Sequence, residues 1–133
     1  MTDLRCIVHV EDELDILEFT RMALEIVGGF EVVQFSSPEQ ALADIEHHSP
    51  DLFLLDYMMP GMSGPELWRQ LRTRPRFRNT PAIFMTAKVD IETAEALRSM
   101  GALQVIKKPF DPMTLSSSIE IAWETMPGRA NTK

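Results

Sequence analysis

Leu52-Phe53-Leu54-Leu55-Asp56-Tyr57-Met58-Met59-Pro60-Gly61-Met62-Ser63-Gly64-Pro65-Glu66-Leu67-Trp68-Arg69-Gln70-Leu71 decides the fold. Four consecutive apolar residues ending on an acid suit a strand covered on both faces, since a strand with one wet face alternates apolar and polar residues. Ser63-Gly64-Pro65-Glu66 has the Ser-x-x-Glu form of a helix start, and Leu67, Trp68 and Leu71 follow as one helical face. A buried strand, a loop marked by Pro60 and Gly61, and an amphipathic helix make one β-α unit.

Working outward, the same alternation occurs five times. Ile7-Val8-His9-Val10 and Ala82-Ile83-Phe84-Met85 are the other nearly continuous apolar runs and read as central strands. Phe30-Glu31-Val32-Val33-Gln34-Phe35 and Leu103-Gln104-Val105-Ile106 carry polar interruptions and read as the two edges. The first helix is expected over about 13–27, burying Ile16, Phe19, Ala23 and Ile26 and stopping at Gly28-Gly29. Ser37-Pro38-Glu39-Gln40 fits a capping box ahead of Ala41, Leu42 and Ile45. A fourth helix starts near Asp90, carries Ile91, Ala94 and Leu97, and ends at Gly101. The last takes Asp111 as N-cap and Pro112 at its first position, then runs through Leu115, Ile119, Ala122, Trp123 and Met126 to Pro127-Gly128. Strict alternation implies a parallel sheet with right-handed crossovers and helices on both faces. The α/β, doubly wound, five-stranded order 2-1-3-4-5 is the simplest fit.

The 133 residues are one domain's worth, with 1–126 in the fold and 127–133 left as a C-terminal tail, so no effector domain is expected. Cys6 is the only cysteine, which rules out an internal disulfide and suits a reducing, cytoplasmic setting. No signal-peptide pattern or membrane-length apolar run is present. A net charge of −7 argues against a nucleic-acid partner. The charge is uneven: residues 1–68 hold two bases against fourteen acids, a balance of −12, and residues 69–133 hold eleven bases against six acids, +5. Arg69, Arg72, Arg74, Arg76 and Arg78 fall in one short run, for which solvated helix faces are the plain reading and partner docking the sharper one.

In an open parallel sheet, ligands bind beyond the carboxyl ends of the strands, near the reversal of strand order. Those ends carry Glu11-Asp12-Glu13, Asp56, Thr86 and Lys107-Lys108-Pro109. The first and third strands are neighbours, so Glu11 or Asp12 should converge with Asp56. Clustered carboxylates stay ionised only when a cation compensates them, and an all-oxygen set suits a hard ion such as Mg²⁺. His9, His47 and His48 do not form a zinc pattern with Cys6: His9 reads as a core residue, and the other two as solvated or dipole-compensating groups at a helix end. An acidic nest with a lysine and a hydroxyl can stabilise phosphoryl oxygens while one carboxylate attacks.

Val10-Glu11-Asp12-Glu13, Leu54 through Gly64, Thr86-Ala87-Lys88 and Gly101-Ala102 through Lys107-Lys108-Pro109-Phe110 resemble, in order and spacing, the receiver domains of two-component response regulators. The likeness covers about residues 4–126. It implies a flavodoxin-like receiver fold acting as a phosphorylated binding module, not an enzyme beyond its own phosphorylation and dephosphorylation. By resemblance, Asp56 would be the phosphoacceptor, taking its phosphoryl group from a histidine kinase or histidine phosphotransfer protein. Asp12 would bind Mg²⁺ directly and Glu11 mainly through water, with Asp56 and the Met58 backbone carbonyl completing the protein ligands. Lys108 would pair with Asp56, Thr86 would turn its hydroxyl to the phosphoryl group, and the Lys108–Pro109 peptide would be cis. The output would be a changed affinity for a downstream protein, through the face of the fourth helix, fifth strand and fifth helix.

Two departures matter: Val105 stands where many receivers carry a switching aromatic, and Met58 and Lys88, at positions where receivers vary, flank the path of an attacking water. Competing readings are a degenerate receiver kept as a scaffold, an aspartyl-nucleophile metal-dependent phosphatase of the haloacid dehalogenase type, and a flavodoxin-like cofactor carrier. The complete acid, Thr and Lys set opposes the first. Met58, in place of the second Asp, opposes the second, and the acids after the first strand oppose the third.

Overall fold

The computed structural model describes residues 4–87 and 90–126. Five parallel strands, β1 (Cys6–Val10), β2 (Glu31–Phe35), β3 (Leu52–Asp56), β4 (Ala82–Thr86) and β5 (Gln104–Lys107), form one sheet in the order β2-β1-β3-β4-β5. The order matches the sequence expectation, with β2 and β5 at the edges. Leu52, Phe53, Leu54 and Leu55 are all fully buried because both sheet faces are covered. Each contributes about 1.5–3 kcal/mol relative to an exposed side chain.

The helices are α1 (Leu14–Met22, continued by a π-helical turn over Ala23–Val27), α2 (Pro38–Asp44), α3 (Gly64–Arg72), α4 (Ile91–Ser99) and α5 (Leu115–Glu124). Strand alternation splits the core in two. Val8, Val10, Phe53, Leu55 and Phe84 meet Ala41, Ile45, Leu67, Trp68, Leu71 and Leu97 from α2, α3, α4 and the turn after α2. On the other face Ile7, Leu52, Leu54, Ile83 and Met85 meet Leu24, Leu115, Ile119 and Trp123 beneath α1 and α5.

The helix starts follow the expected chemistry. Ser37 Oγ accepts the Gln40 N–H at 3.1 Å, Ser63 Oγ the Glu66 N–H at 3.3 Å, and Asp90 Oδ1 the Thr93 N–H at 2.7 Å. Gly29 (φ +74°) and Gly101 (φ +105°) take the left-handed turns that let the chain leave α1 and α4.

Two expectations need correction. Asp111 does not cap α5 directly: its Oδ1 accepts the Met113 N–H at 2.9 Å, so residues 112–114 form a turn and the helix begins at Leu115. Asp111 still organises the entry, because its carbonyl accepts the Thr114 and Leu115 N–H groups, each at 3.0 Å. On α1, Phe19 and Ile26 are 56% and 76% exposed, while Thr20, Ala23 and Leu24 are buried. Ala23 is buried as expected, but Thr20 takes the buried place expected for Phe19, about 100° round the helix, and the π turn shifts the register beyond Met22 so that Leu24 is buried and Ile26 is not.

Candidate functional site

The carboxyl ends of the strands bring the expected residues together. Glu11 follows β1 directly, Asp56 ends β3, Thr86 ends β4, and Lys108 follows β5. The Lys108 Nζ lies 3.0 Å from Asp56 Oδ1 and 3.1 Å from Glu11 Oε1, and the Lys108 side chain is 12% exposed. Glu11, Asp12 and Asp56 offer carboxylate oxygens within 4.8 Å of one another. Glu11, Asp56 and Thr86 are buried and Asp12 is half-buried. The Lys108–Pro109 peptide is cis, as the resemblance implied.

Backbone contacts fix these groups. The Tyr57 N–H donates to the Met85 carbonyl at 2.8 Å, carrying the β3–β4 ladder one residue past Asp56. The Lys108 N–H donates to the Thr86 carbonyl at 2.8 Å, which holds the lysine beside the end of β4. A Cβ on Gly64 would collide with the carbonyl oxygen of Asp56, so the start of α3 packs against the backbone of that acid. Nothing in the sequence pattern marked this role for Gly64, because the approach depends on how α3 docks on the sheet.

The electrostatics are those of crowded acids with one lysine. Burial, then the charge of Asp56, raises the Glu11 carboxyl to about 7, although the Glu13 N–H and Lys108 oppose the shift. Burial also raises Asp56 above the ordinary carboxylate range against the pull of Lys108. Lys108 is held above its usual value: burial favours its neutral form, but Asp56 and Glu11 together outweigh that effect. Two acids strained upward beside a third make an oxygen-rich set that a hard divalent cation would relieve.

Asp12, Glu13, Asp56, Met58, Thr86, Ala87 and Lys108 line a cavity of about 280 Å³. Met58 is 69% exposed at its rim, and Lys88 lies outside the described residues. An adjoining groove of about 640 Å³ runs between α1 and the β5–α5 loop, sharing Glu13, Ala87 and Lys108 and walled by Ile16, Phe19, Pro109, Phe110 and Pro112. Pattern reading missed this groove because Phe19 had been assigned to the core. Of the histidines, His9 is buried and held neutral, first by burial and then by Lys108 and Arg21, with its Nδ1 3.1 Å from Gln34 Nε2. His48 Nε2 lies 3.0 Å from Asp44 Oδ2, while the His47 ring is 3.9 Å from the same carboxylate, and neither reaches the site.

Residues 7–120 match a family described as the response regulator receiver domain. The chain is 37% identical over 125 residues to the phosphate regulon transcriptional regulatory protein PhoB of Pseudomonas aeruginosa, covering 93% of this chain and 54% of that protein. It is 36% identical over 110 residues to the cyclic di-GMP phosphodiesterase response regulator RpfG of Xanthomonas campestris pv. campestris, covering 82% of this chain and 29% of that one. It thus spans about half or less of the length of these relatives. Among solved structures, the chemotaxis response regulator CheY4 of Vibrio cholerae superposes with a TM-score of 0.81 at 25% identity, covering 90% of this chain and 98% of that one. A CheY-like receiver domain protein from Methanospirillum hungatei superposes with a TM-score of 0.77 at 30% identity, covering 92% and 95%.

Proposed function

The chain belongs to the response regulator receiver domain family, and from that premise we propose that Asp56 accepts a phosphoryl group from a phosphohistidine on a partner kinase or phosphotransfer protein. The observation that carries this reading is Lys108 Nζ at 3.0 Å from Asp56 Oδ1 in a cavity that Asp12 also lines, with the buried Glu11 carboxylate 3.1 Å from the same Nζ. An Asp56 carboxylate oxygen attacks phosphorus, the bond from phosphorus to the donor imidazole nitrogen breaks, and an acyl phosphate forms on Asp56. Lys108 faces the negative charge gathering on the phosphoryl oxygens, and Thr86, at the end of the adjacent strand, supplies a hydroxyl.

Asp12, Asp56 and the Met58 backbone carbonyl, with Glu11 behind them, would hold Mg²⁺. When bound, that ion supplies charge stabilisation for the transferring oxygens. Met58 stands where aspartyl phosphatases of the haloacid dehalogenase type place their second Asp, so the general acid of that mechanism is absent from that position. The chain on this reading turns over only its own phosphate, in the cytoplasm.

The groove beside the pocket supports the choice of a protein donor. Its apolar wall reaches the Asp56 cavity through Ala87 and Lys108, so a partner bringing a histidine over that rim meets Phe19, Pro109 and Phe110. The output is a protein contact whose strength changes when Thr86 turns toward the phosphoryl group and draws on the β4–α4 connection. Val105 packs partly buried against the α3–α4 side of the core, and a valine there has no ring to swing.

The test is intact-mass measurement after incubation with acetyl phosphate, with and without Mg²⁺. A phosphoryl-sized gain that needs Mg²⁺ and is absent in Asp56→Asn is expected. The same gain in the variant, or none in either protein, would overturn the reading.

A further inference from the structure

The five arginines between Arg69 and Arg78 do not form one patch. Arg74 Nη1 and Arg76 Nη1 lie 3.4 and 3.2 Å from the carboxylate of Glu46, and Arg76 also donates to the Glu46 and His48 carbonyls, each at 2.8 Å. Those two side chains tie the segment after α3 to the end of α2. Arg72 lies over the Trp68 ring, 4.3 Å from its centroid, and donates to the Met100 carbonyl at 3.1 Å. The side chains of Arg69 and Arg78 make no hydrogen bond or ion pair with any described residue.

Arg69, Arg72, Thr73, Arg78, Asn79 and Met100 line a concavity of about 560 Å³ at the pole of the sheet opposite Asp56. No carboxylate is among them. Arg69 and Arg72 are three apart on α3, where like charges repel. Complementing the negative end of the α3 dipole accounts for those two. It does not account for Arg78, which projects from the next segment into the same space. In a chain of net charge −7, three guanidiniums around a hollow with no acid among its described lining residues are an arrangement that a negatively charged ligand would neutralise.

We propose that this concavity binds an acidic segment of a partner protein. Arg72, stacked and spending one donor on Met100, keeps most of its five N–H groups in a fixed fork for one carboxylate. Arg69 and Arg78 close on neighbouring carboxylates, and Met100 gives the segment an apolar contact. A lone phosphate would find only one pinned guanidinium. A nucleic-acid duplex, with a charge about every 1.7 Å along its axis, would have to run past the acid-rich remainder of the surface. A peptide is compact enough to touch the basic pole alone.

The test is fluorescence anisotropy at about 0.15 M salt, where the Debye length is about 8 Å, on the full chain with a short labelled peptide carrying glutamate at alternate positions. Saturable binding is expected, weakened about tenfold in Arg69→Ala/Arg78→Ala, in line with loss of two exposed charge contacts. The charge-matched Arg5→Ala/Arg98→Ala pair should stay within about twofold of wild type. Phosphorylation of Asp56 by acetyl phosphate, read by mass in the same samples, should be unchanged in both variants, so this outcome is separate from the chemistry at the other pole. Absent saturable binding, equal weakening in the two pairs, or tighter binding of a duplex oligonucleotide or inorganic triphosphate than of the peptide would each overturn the proposal.

Discussion

Glu11 has no solvent-exposed surface, and its carboxyl is raised from 4.5 to about 7, chiefly by burial and then by Asp56. Between those two values the folded protein holds a proton that the unfolded chain has released. Folding stability in a chelator therefore falls as pH rises through the window, and levels off above about 7. The size is on the order of 3 kcal/mol for one such group at 1.36 kcal/mol per unit. Glu11→Gln keeps the shape and cannot titrate, so urea midpoints at pH 5 and pH 8 should differ much less in the variant. An unchanged difference would mean that the slope belongs elsewhere. Lys108 is the opposite case, a cation whose two contacts hold it charged. Lys108→Ala removes the only ammonium among the described residues lining the cavity, and phosphorylation by acetyl phosphate should slow about a hundredfold, as when one oxyanion donor is lost. Far-UV circular dichroism separates that loss from unfolding. His9, two residues before Glu11, was legible as a core residue because it lies inside an apolar strand run and forms no zinc pattern with Cys6.

At the scale of elements, two glycines show what docking adds to pattern. Gly64→Ala would drive a Cβ into the Asp56 carbonyl oxygen and toward Phe84, so the start of α3 must shift from the sheet. The expected cost is about 1–3 kcal/mol, read from the denaturant midpoint, with slower phosphorylation because the backbone of Asp56 moves. Gly28→Ala would meet Ser116 Oγ, whose hydroxyl donates to the Ala23 carbonyl at 2.9 Å and joins the π turn to α5. Ser116→Ala alone should cost about 1 kcal/mol for the lost buried hydrogen bond. The Gly28→Ala/Ser116→Gly pair should lose less stability than the sum of its single changes; strict additivity would show that the two sites do not touch. Neither contact was readable along the chain, because each joins residues from separate elements. Strand order, central strands, caps at Ser37 and Ser63, the helix start near Asp90, and the convergence of Glu11, Asp12, Asp56 and Lys108 were readable, since each follows from local period or from which strand end carries a charged residue. The buried face of α1 was not. Hydrophobicity chose Phe19, and the sheet accepted Thr20, whose smaller side chain fits under the helix while the phenyl ring faces the groove.

For the whole molecule, parallel strands collect every carboxyl end at one pole, and that polarity gives the uneven charge a spatial meaning. The acid-rich first half ends β1 and β3 on Glu11, Asp12 and Asp56, while the basic second half sends Lys108 to the same pole and arginines to the opposite one. Three carboxylates crowd one lysine at the acid pole, so on the proposed reading a cation bound there would stabilise the entire domain. A ligand that binds only the folded state adds about 2.7 kcal/mol at a concentration a hundredfold above its dissociation constant. For a domain of this length that corresponds to a rise of several degrees in the melting temperature. Mg²⁺ should give that rise in the wild type. Asp12→Asn and Asp56→Asn should instead melt higher than wild type in chelator, through relief of repulsion, and gain little from Mg²⁺. The Mg²⁺ increment should also be larger at pH 8 than at pH 6, because the Glu11 proton must leave before that carboxylate can face a cation. Thermal melts of the three proteins at both pH values check all of this together. Equal Mg²⁺ shifts in wild type and variants would place the ion elsewhere on the acidic surface, and a pH-independent shift would remove Glu11 from its surroundings.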